Sequence, residues 1–435
     1  MKIDSCIELG EVLRVYREKK GWKIEYTASL GEISIGTISK IENGDPTVST
    51  KKIDQLKVIL GISKEEIRSL KDDRADIELL LDSINSLIET FEIEPALKEL
   101  EQLKTGFFPG YINFLKGKCY LEKGQEKNAE EAFHEVIKNK YKDKSNLISM
   151  CYHEIGRCLY KKNNVREALI WHKNASDSFD PEGAFQYFQP SMDINEAIYL
   201  KKMGFRGGSL KIVNSLWSIR NEIKKLNSLL NLYELYAEFA VEDTNLDLAE
   251  EVVREGIELA RINSNQNRLA DFWTKLGVIK TQLKRFNSAQ MCFGTTLKLK
   301  ERITEPRILI TTYEQMGVLY MEQANLNKAD ECFNEAVRLA NDLNDHIQLV
   351  GTLHLTGDLK KMQGQHTESL KLYKEAAQIS HKYGLNRQEY ESIIKLAEHS
   401  QIADNTQEYK QLGKRIMDLE LEYRSSLKED TYEEV

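Results

Sequence analysis

The chain has 435 residues, a formal net charge of −8, 41% hydrophobic residues and 30% charged residues. This length exceeds that of one ordinary domain, so we expect at least two. No run approaches the roughly 18 apolar residues of a membrane span, and the charged first residues do not form a signal peptide. Only six prolines and almost no strand pattern favour an all-α fold.

The six cysteines form no CxxC pair and no metal-ligand pattern with the eight histidines. Cys151 and Cys158 lie seven residues apart, on one face of a helix, and are interpreted as small core residues. A reducing, cytoplasmic location fits this cysteine usage. Neither a metal nor another cofactor is expected.

Five helices are predicted within the first seventy residues. Gly21 closes the first, Gly44 and Pro46 force a turn after the third, and a capping box at Ser63 opens the fifth. The predicted ranges are roughly 8–19, 24–30, 35–42, 50–60 and 64 onward. Their apolar faces are expected to form one core from Leu9, Leu13, Ala28, Ile33, Ile38, Ile41, Ile53, Leu56 and Leu60.

The third of these helices has the features of a DNA-recognition helix. Ser34 is a suitable N-cap and Gly44 follows the end of the helix. Ile38 and Ile41 lie three residues apart and face the core, which leaves a small, lightly polar outward face. Such a face can enter the major groove of DNA. The residues predicted to point outward are Ile35, Gly36, Ser39 and Lys40.

The segment resembles the lambda-repressor/Xre class of helix-turn-helix domain. The resemblance is carried by Gly10-xxx-Arg14-xx-Arg17-xxx-Gly21, Ala28, residues 33–44 and Leu60-Gly61-Ile62. It implies that Arg17 and Glu42 form a buried pair and that Thr37 and Asn43 touch phosphate. It also implies that base edges face Ile35, Gly36, Ser39 and Lys40.

One departure from the Xre pattern is Ile24, where the class usually has a Gln that holds a backbone phosphate. This departure predicts weaker or shifted docking on DNA. With Ile35 and Gly36 in the recognition helix, specificity would come from Lys40, thymine-methyl contacts and DNA shape. The alternative is a degenerate helix-turn-helix that only dimerises or binds protein.

Charge is unevenly divided along the chain. Residues 1–70 hold twelve Lys or Arg and eleven Asp or Glu, a net charge of +1, so the remainder carries −9. A module this weakly basic would hold phosphates poorly alone. We therefore expect a homodimer, or a tetramer, on a palindromic double-stranded operator.

From about Asp76 the sequence is periodic. A Gly or Ala recurs with intervals of 39, 41 and then 40 residues. A second, mostly small position follows twelve residues later, and a mostly bulky one lies four residues beyond that. The first position is occupied by Gly117, Gly156, Ala197, Ala237, Gly277, Gly317, Gly357 and Ala397, and the last repeat has Tyr409 at the second. Such regularity indicates stacked helix pairs.

The internal pattern resembles tetratricopeptide repeats. Trp273-xx-Leu276-Gly277 with Ala289-xxx-Phe293 carries the signature. HEAT repeats have a similar length but do not explain this order of small and aromatic residues. The sequence predicts a helix-turn-helix domain at 1–65 and a linker helix at 66–75. A right-handed α-solenoid of about nine repeats follows at 76–425, and an acidic tail at 426–435. The first of these repeats is irregular, with Ala96 at the small position.

The first helix of each repeat is expected to line the inner surface of the solenoid. Asn and Gln there can pair with the backbone of an extended peptide, Arg can bind a carboxylate and Glu can bind a basic group. A merely solvated surface is the alternative for any single residue. The predicted peptide-binding residues are His153, Arg157, Tyr160, Asn195, Asn231, Glu234, Glu238, Glu314 and Gln315.

The two parts together resemble the RRNPP family of Gram-positive bacteria, with the length of its NprR-type rather than its PlcR-type members. This resemblance implies a cytoplasmic quorum-sensing transcription regulator whose repeats bind a short signalling peptide and reposition the DNA-binding domains of a dimer. It points to Arg157, Asn195 and Asn231 as the residues that hold the peptide.

An adaptor and an enzyme are the alternatives to a regulator. NprR-like and Rap-like relatives also sequester response regulators, so an adaptor with a response regulator as partner is the alternative function. An enzyme is not expected, because the sequence contains no nucleophile–base arrangement, metal-ligand spacing or phosphate loop. No catalytic residue is therefore assigned.

Overall fold

A computed structural model describes residues 5–90, 92–138, 145–402 and 410–419. Every regular element among these residues is a helix, and none of them lies in a strand. This confirms the all-α prediction. The chain forms two compact units, one ending at Ser228 and the other beginning at Leu229.

The first unit contains twelve α-helices among its described residues, and two short 3₁₀ helices at Gln186–Phe188 and Arg220–Glu222. The α-helices are α1 Ser5–Lys19, α2 Ile24–Ser29, α3 Ile35–Glu42, α4 Thr50–Leu60, α5 Lys64–Glu89, α6 Ile93–Gln102, α7 Pro109–Glu122, α8 Glu126–Lys138, α9 Leu147–Lys161, α10 Val165–Asp177, α11 Gln189–Lys202 and α12 Arg206–Ser218.

The second unit begins within α13 and continues as helix pairs, with one 3₁₀ helix at Lys300–Arg302. Residues 410–419 are also helical. Its named α-helices are α13 Leu226–Glu242, α14 Leu246–Ile262, α15 Gln266–Gln282, α16 Phe286–Lys298, α17 Arg307–Glu322, α18 Leu326–Asp342, α19 His346–Met362, α20 His366–Lys382 and α21 Asn386–Ile402. Tyr409 and the predicted acidic tail lie outside the described residues.

Helices α1 to α5 enclose one apolar core. Most of the predicted core residues are fully buried, whereas Leu9, Ala28 and Ile53 are half-buried at its edge. Leu70 of α5 and Phe107, from the connection before α7, belong to the same core. The first module is thus completed by residues far beyond it in the sequence.

Helix α5 also holds the module through ion pairs. Residues 66–75, predicted as a linker helix, lie inside α5, which is unbroken to Glu89. Arg74 donates to Glu11 over 2.9 Å, and its guanidinium lies 4.4 Å from the ring of Phe108. Glu11 also accepts from the backbone N–H of Phe108 at 3.1 Å. One carboxylate therefore connects α1, α5 and the start of α7.

The repeats pack through the small and bulky positions that the sequence indicates. A Cβ atom on Gly277 would lie 2.5 Å from the buried ring of Phe293, and one on Gly117 would lie 2.4 Å from Phe133. Gly317 and Gly357 make the corresponding approaches to the aromatic residues sixteen positions later. In these repeats the aromatic ring can lie this close to the paired helix only because the facing residue has no Cβ.

Each helix pair turns through a residue with positive φ. The position recurs at intervals of 39 to 41 residues, at Gly124, Asn163, Gly204, Thr244, Lys284, Ala324 and Gly364. The next helix often starts with an Asn or Asp cap, as where Asn245 accepts from the N–H of Leu248 at 3.3 Å. The tight turn and the cap together explain why consecutive helices are antiparallel and close.

Candidate DNA-binding helix and candidate peptide site

Helix α3 is capped and oriented by its own sequence. Ser34 Oγ accepts from the backbone N–H of Thr37 at 3.1 Å. Ile38 and Ile41 are buried, so the opposite side of the helix faces solvent. Ile35 is 47% exposed and the Lys40 side chain 61% exposed. The remaining predicted DNA-binding residues are exposed or half-buried on the accessible surface: Gly36, Thr37, Ser39 and Asn43.

The structure brings Arg17 and Glu42 together. Arg17 Nε donates to Glu42 Oε1 at 2.6 Å, and Arg17 Nη2 donates to Oε2 at 2.9 Å, in a bidentate pair. The Arg17 side chain is 10% exposed and that of Glu42 is 6% exposed. Hydrogen bonding to Glu42 raises the pKa of Arg17. The pair fixes the end of α3 against α1.

Two glycines bring α1 and the end of α3 into direct backbone contact. A Cβ on Gly10 would lie 2.2 Å from the carbonyl oxygen of Ile41. Gly44 has a φ of +67°, and a Cβ there would lie 2.4 Å from Cα of Ile7. The outward face of α3 is therefore presented at a fixed angle to α1.

In the first unit, a buried histidine supports Asn195. The Asn195 amide nitrogen lies 3.2 Å from His153 Nε2, and the His153 ring meets the edge of Phe188 at a centroid distance of 4.8 Å. Burial lowers the pKa of His153 to about 3, so its ring is neutral and can accept this hydrogen bond. His153 is itself only 4% exposed and thus positions Asn195.

Arg157 is on the same helix as His153. It donates to Glu154 over 2.7 Å, while its side chain stays 42% exposed. Burial alone would raise the pKa of Glu154, but Arg157, together with His153, Lys118 and Lys225, lowers it. Tyr160, one turn further on, has its ring 5.1 Å from that of Tyr199. This surface therefore offers an amide and a guanidinium to a ligand.

Lys225 belongs to this region, although the sequence did not single it out. Its ammonium lies 4.3 Å from the centroid of Phe188 and 5.9 Å from that of Tyr187. Lys225 occupies the connection between a 3₁₀ helix and α13, where the repeat pattern gives no signal. Lys225 and His153 thus both contact the ring of Phe188.

In the second unit, the predicted Glu234 and Glu238 meet cations from α15. Lys275 pairs with Glu234 at 2.8 Å and Glu238 at 3.2 Å, and Arg268 pairs with Glu234 at 2.9 Å. Burial opposes ionisation of Glu234, but Lys275 and Arg268 hold its pKa at about 2. Burial raises the pKa of Asp271 to about 6. Both glutamates are thus already paired.

The other predicted residues of the second unit are dispersed. Glu314 is 7% exposed and accepts from Thr352 Oγ1 at 2.6 Å. Burial raises its pKa to about 7. Gln315 is half-buried next to it, and Asn231 is half-buried on α13. Glu314 therefore faces a neighbouring helix, whereas Asn231 and Gln315 keep part of their surface accessible.

Within the described ranges, His, Cys, Asp and Glu side chains form no group that could hold a metal ion. The same ranges include no helix with the length and apolar character needed to cross a membrane.

Comparison with known proteins identifies both modules. A helix-turn-helix domain family matches residues 8–70, and tetratricopeptide repeat families match residues 111–143 and 308–381. No curated protein sequence matches the chain.

Two of the similar solved structures show the shared fold. A Rap protein complexed with competence and sporulation factor has 15% sequence identity and a TM-score of 0.61, over 81% of this chain and 99% of its own. The apo form of the quorum sensor NprR from B. thuringiensis has 16% identity and a TM-score of 0.58, over 79% of this chain and 99% of its own. The chain therefore combines a helix-turn-helix domain with tetratricopeptide repeats in a fold that it shares with a Rap protein and NprR.

Proposed function

We propose that the protein is a cytoplasmic transcription regulator of the RRNPP type, which binds DNA through α3 and is switched by a short peptide bound to its repeats. The observation that carries this proposal is the intact geometry of α3. Its N-cap, its buried Arg17–Glu42 pair and its accessible outer face are all present. A domain that only dimerised would not need this face to stay open.

The exposed side chains of α3 are suited to recognising a DNA sequence through few direct contacts with the bases. The exposed Lys40 ammonium can bind a guanine edge or a phosphate, and the half-exposed Ile35 can contact a thymine methyl group. Few charges are available, so affinity would depend on two copies binding a palindromic site. The partners proposed are therefore double-stranded DNA and a second copy of the chain.

Selection of duplexes from a random library by the full-length protein tests this part of the proposal. We expect an enriched palindrome. Lys40→Ala should reduce affinity for the selected duplex and weaken the base preference at one operator position by about 1–3 kcal/mol. Lys98→Ala, at an exposed position on α6, is the matched control and should change neither quantity. Equal binding of all sequences by the wild-type protein would contradict the proposed readout.

The proposed peptide site includes the surface around Asn195 and Arg157. The amide can bind the backbone of an extended peptide, and the guanidinium can bind an acidic group. Peptides that the wild-type protein retains from a random library are the ligands for this test. Replacement of either residue by Ala should weaken their binding without unfolding the repeats. Unchanged peptide affinity in both variants would place the site elsewhere.

The second candidate function is an adaptor that binds a response regulator or another protein. Its support is the Rap-like fold and the net charge of −9 outside the first seventy residues. Pull-down of a response regulator by both the wild-type protein and the Lys40→Ala variant, with no duplex enriched by the wild type, would favour the adaptor.

A further inference from the structure

Lys225 is a half-buried cation without an acidic partner. Its ammonium lies over Phe188, with Tyr187 beside it. Among the residues that the structure describes, no carboxylate forms an ion pair with Lys225. A charge held partly out of water normally has a counter-ion. The aromatic rings supply only part of that stabilisation.

The charged groups around Lys225 do not neutralise it. Glu154 is the most influential carboxylate, but it is bonded to Arg157 at 2.7 Å. Lys118 and Arg157 add positive charge, and Glu89 contributes a weaker opposing effect. Burial lowers the pKa of Lys225 to about 8; Glu154 opposes this shift, whereas Lys118 and Arg157 add to it. With Lys225 itself included, the cluster holds three cations and two carboxylates, and the nearer carboxylate, Glu154, already pairs with Arg157.

The region is open to a ligand from solvent. Tyr187, against which Lys225 lies, is 41% exposed, and the Arg157 side chain is 42% exposed. Phe188 connects the Lys225 ammonium to the His153 ring, which in turn contacts the Asn195 amide. A peptide with an anionic group at Lys225 could therefore extend past these residues to Asn195.

We propose that Lys225 binds a carboxylate of the signalling peptide, with Arg157 as the second cation of the same surface. This inference rests on the proposed function and specifies one end of its ligand. The carboxylate supplies the missing counter-ion of Lys225, and the adjacent peptide backbone forms hydrogen bonds with the Asn195 amide. The carboxylate is either the C-terminus of the peptide or an Asp or Glu side chain.

Three matched heptapeptide libraries distinguish these sources. The first has a free C-terminus and lacks Asp and Glu, the second is amidated and contains Asp and Glu, and the third is amidated and lacks both. Each is incubated with the full-length protein, and retained peptides are quantified by mass spectrometry. Lys225→Met is the test variant, and Lys224→Met, at the exposed neighbouring position, is the control.

The wild-type and Lys224→Met proteins are expected to retain the first or the second library at least about tenfold better than the third. Lys225→Met should lose this preference, and Lys225→Arg should keep it. Circular dichroism establishes that each variant is folded. Equal retention of all three libraries by the wild type, or an unchanged preference in Lys225→Met, overturns the inference but leaves peptide binding intact. Retention of no peptide overturns the proposed function as well.

Discussion

Replacing Gly277 with Ala tests the packing of the repeats most sharply. In α15 the added Cβ would lie 2.5, 2.7 and 2.8 Å from three ring atoms of Phe293. That ring is fully buried, so it cannot move into solvent. Gly294, in the adjacent helix α16, has no atom within 4 Å of the corresponding Cβ position and provides a matched control.

The two substitutions should have opposite effects on stability. Ala is a better helix former than Gly by about 0.5–1 kcal/mol, which is the gain expected for Gly294→Ala. Overpacking of a dense core costs about 1–3 kcal/mol and exceeds this gain for Gly277→Ala. Because the gain in helix propensity is common to both variants, their free energies of unfolding should differ by the overpacking cost, about 1–3 kcal/mol, with Gly277→Ala the less stable.

Native-state hydrogen exchange can measure this difference, because repeat proteins open locally. Amides of α15 and α16 should exchange faster in Gly277→Ala and more slowly in Gly294→Ala than in the wild type. Equal or greater protection in Gly277→Ala would refute the close approach of Gly277 to Phe293.

Three further predictions concern other parts of the chain. Phe107→Ala should destabilise α1 to α4 by about 3–5 kcal/mol in hydrogen exchange, whereas the exposed Phe205→Ala should change stability by less than about 0.5 kcal/mol. Thr244→Gly should stabilise its turn by about 1 kcal/mol in urea unfolding, because Gly accepts the φ of +58° without strain. The folded-state pKa of Glu314 is raised from 4.5 to about 7, so protonation stabilises the fold. Stability around α17 should therefore fall as pH rises from about 4.5 to 7, by at most about 3 kcal/mol, and Glu314→Gln should remove this dependence.

Local sequence signals predicted the first module well. The ranges of α2, α3 and α4 agree with the prediction to within one residue, because Ser34, Gly44 and Gly61 are strong cap and stop signals. The small and aromatic positions of the repeats could also be read, since a period of 40 residues is visible without any structure. These features depend on residues close to one another in the sequence or on regular repetition.

Other features depend on distant contacts or on backbone geometry. Phe107 joins the first core across about ninety residues, and no local pattern marks such a contact. A Gly at the turn position predicts the positive φ from sequence. Thr244, Lys284 and Ala324 have the same positive φ, but their residue types do not predict it. Lys225 was missed because it lies in a connection outside the helical period.

The function of individual site residues follows from the sequence only in part. Glu234 and Glu238 could be selected as acidic residues, but the cations that already pair with them come from α15, about forty residues later. Likewise, His153 could be selected as a polar residue, yet its burial against Phe188 gives it a supporting position. Side-chain pairing across helices thus decides which residues remain available to a ligand.

The central claim is that peptide binding and DNA binding are coupled, and one measurement tests it most directly. The affinity of the full-length protein for its selected duplex is determined with and without a saturating retained peptide. We expect a change of at least about fivefold, corresponding to about 1 kcal/mol of coupling, and the duplex should change the affinity for peptide by the same factor. Asn195→Ala should remove the effect of peptide while leaving DNA binding intact. A peptide that binds at saturation without altering affinity for the duplex would contradict the account.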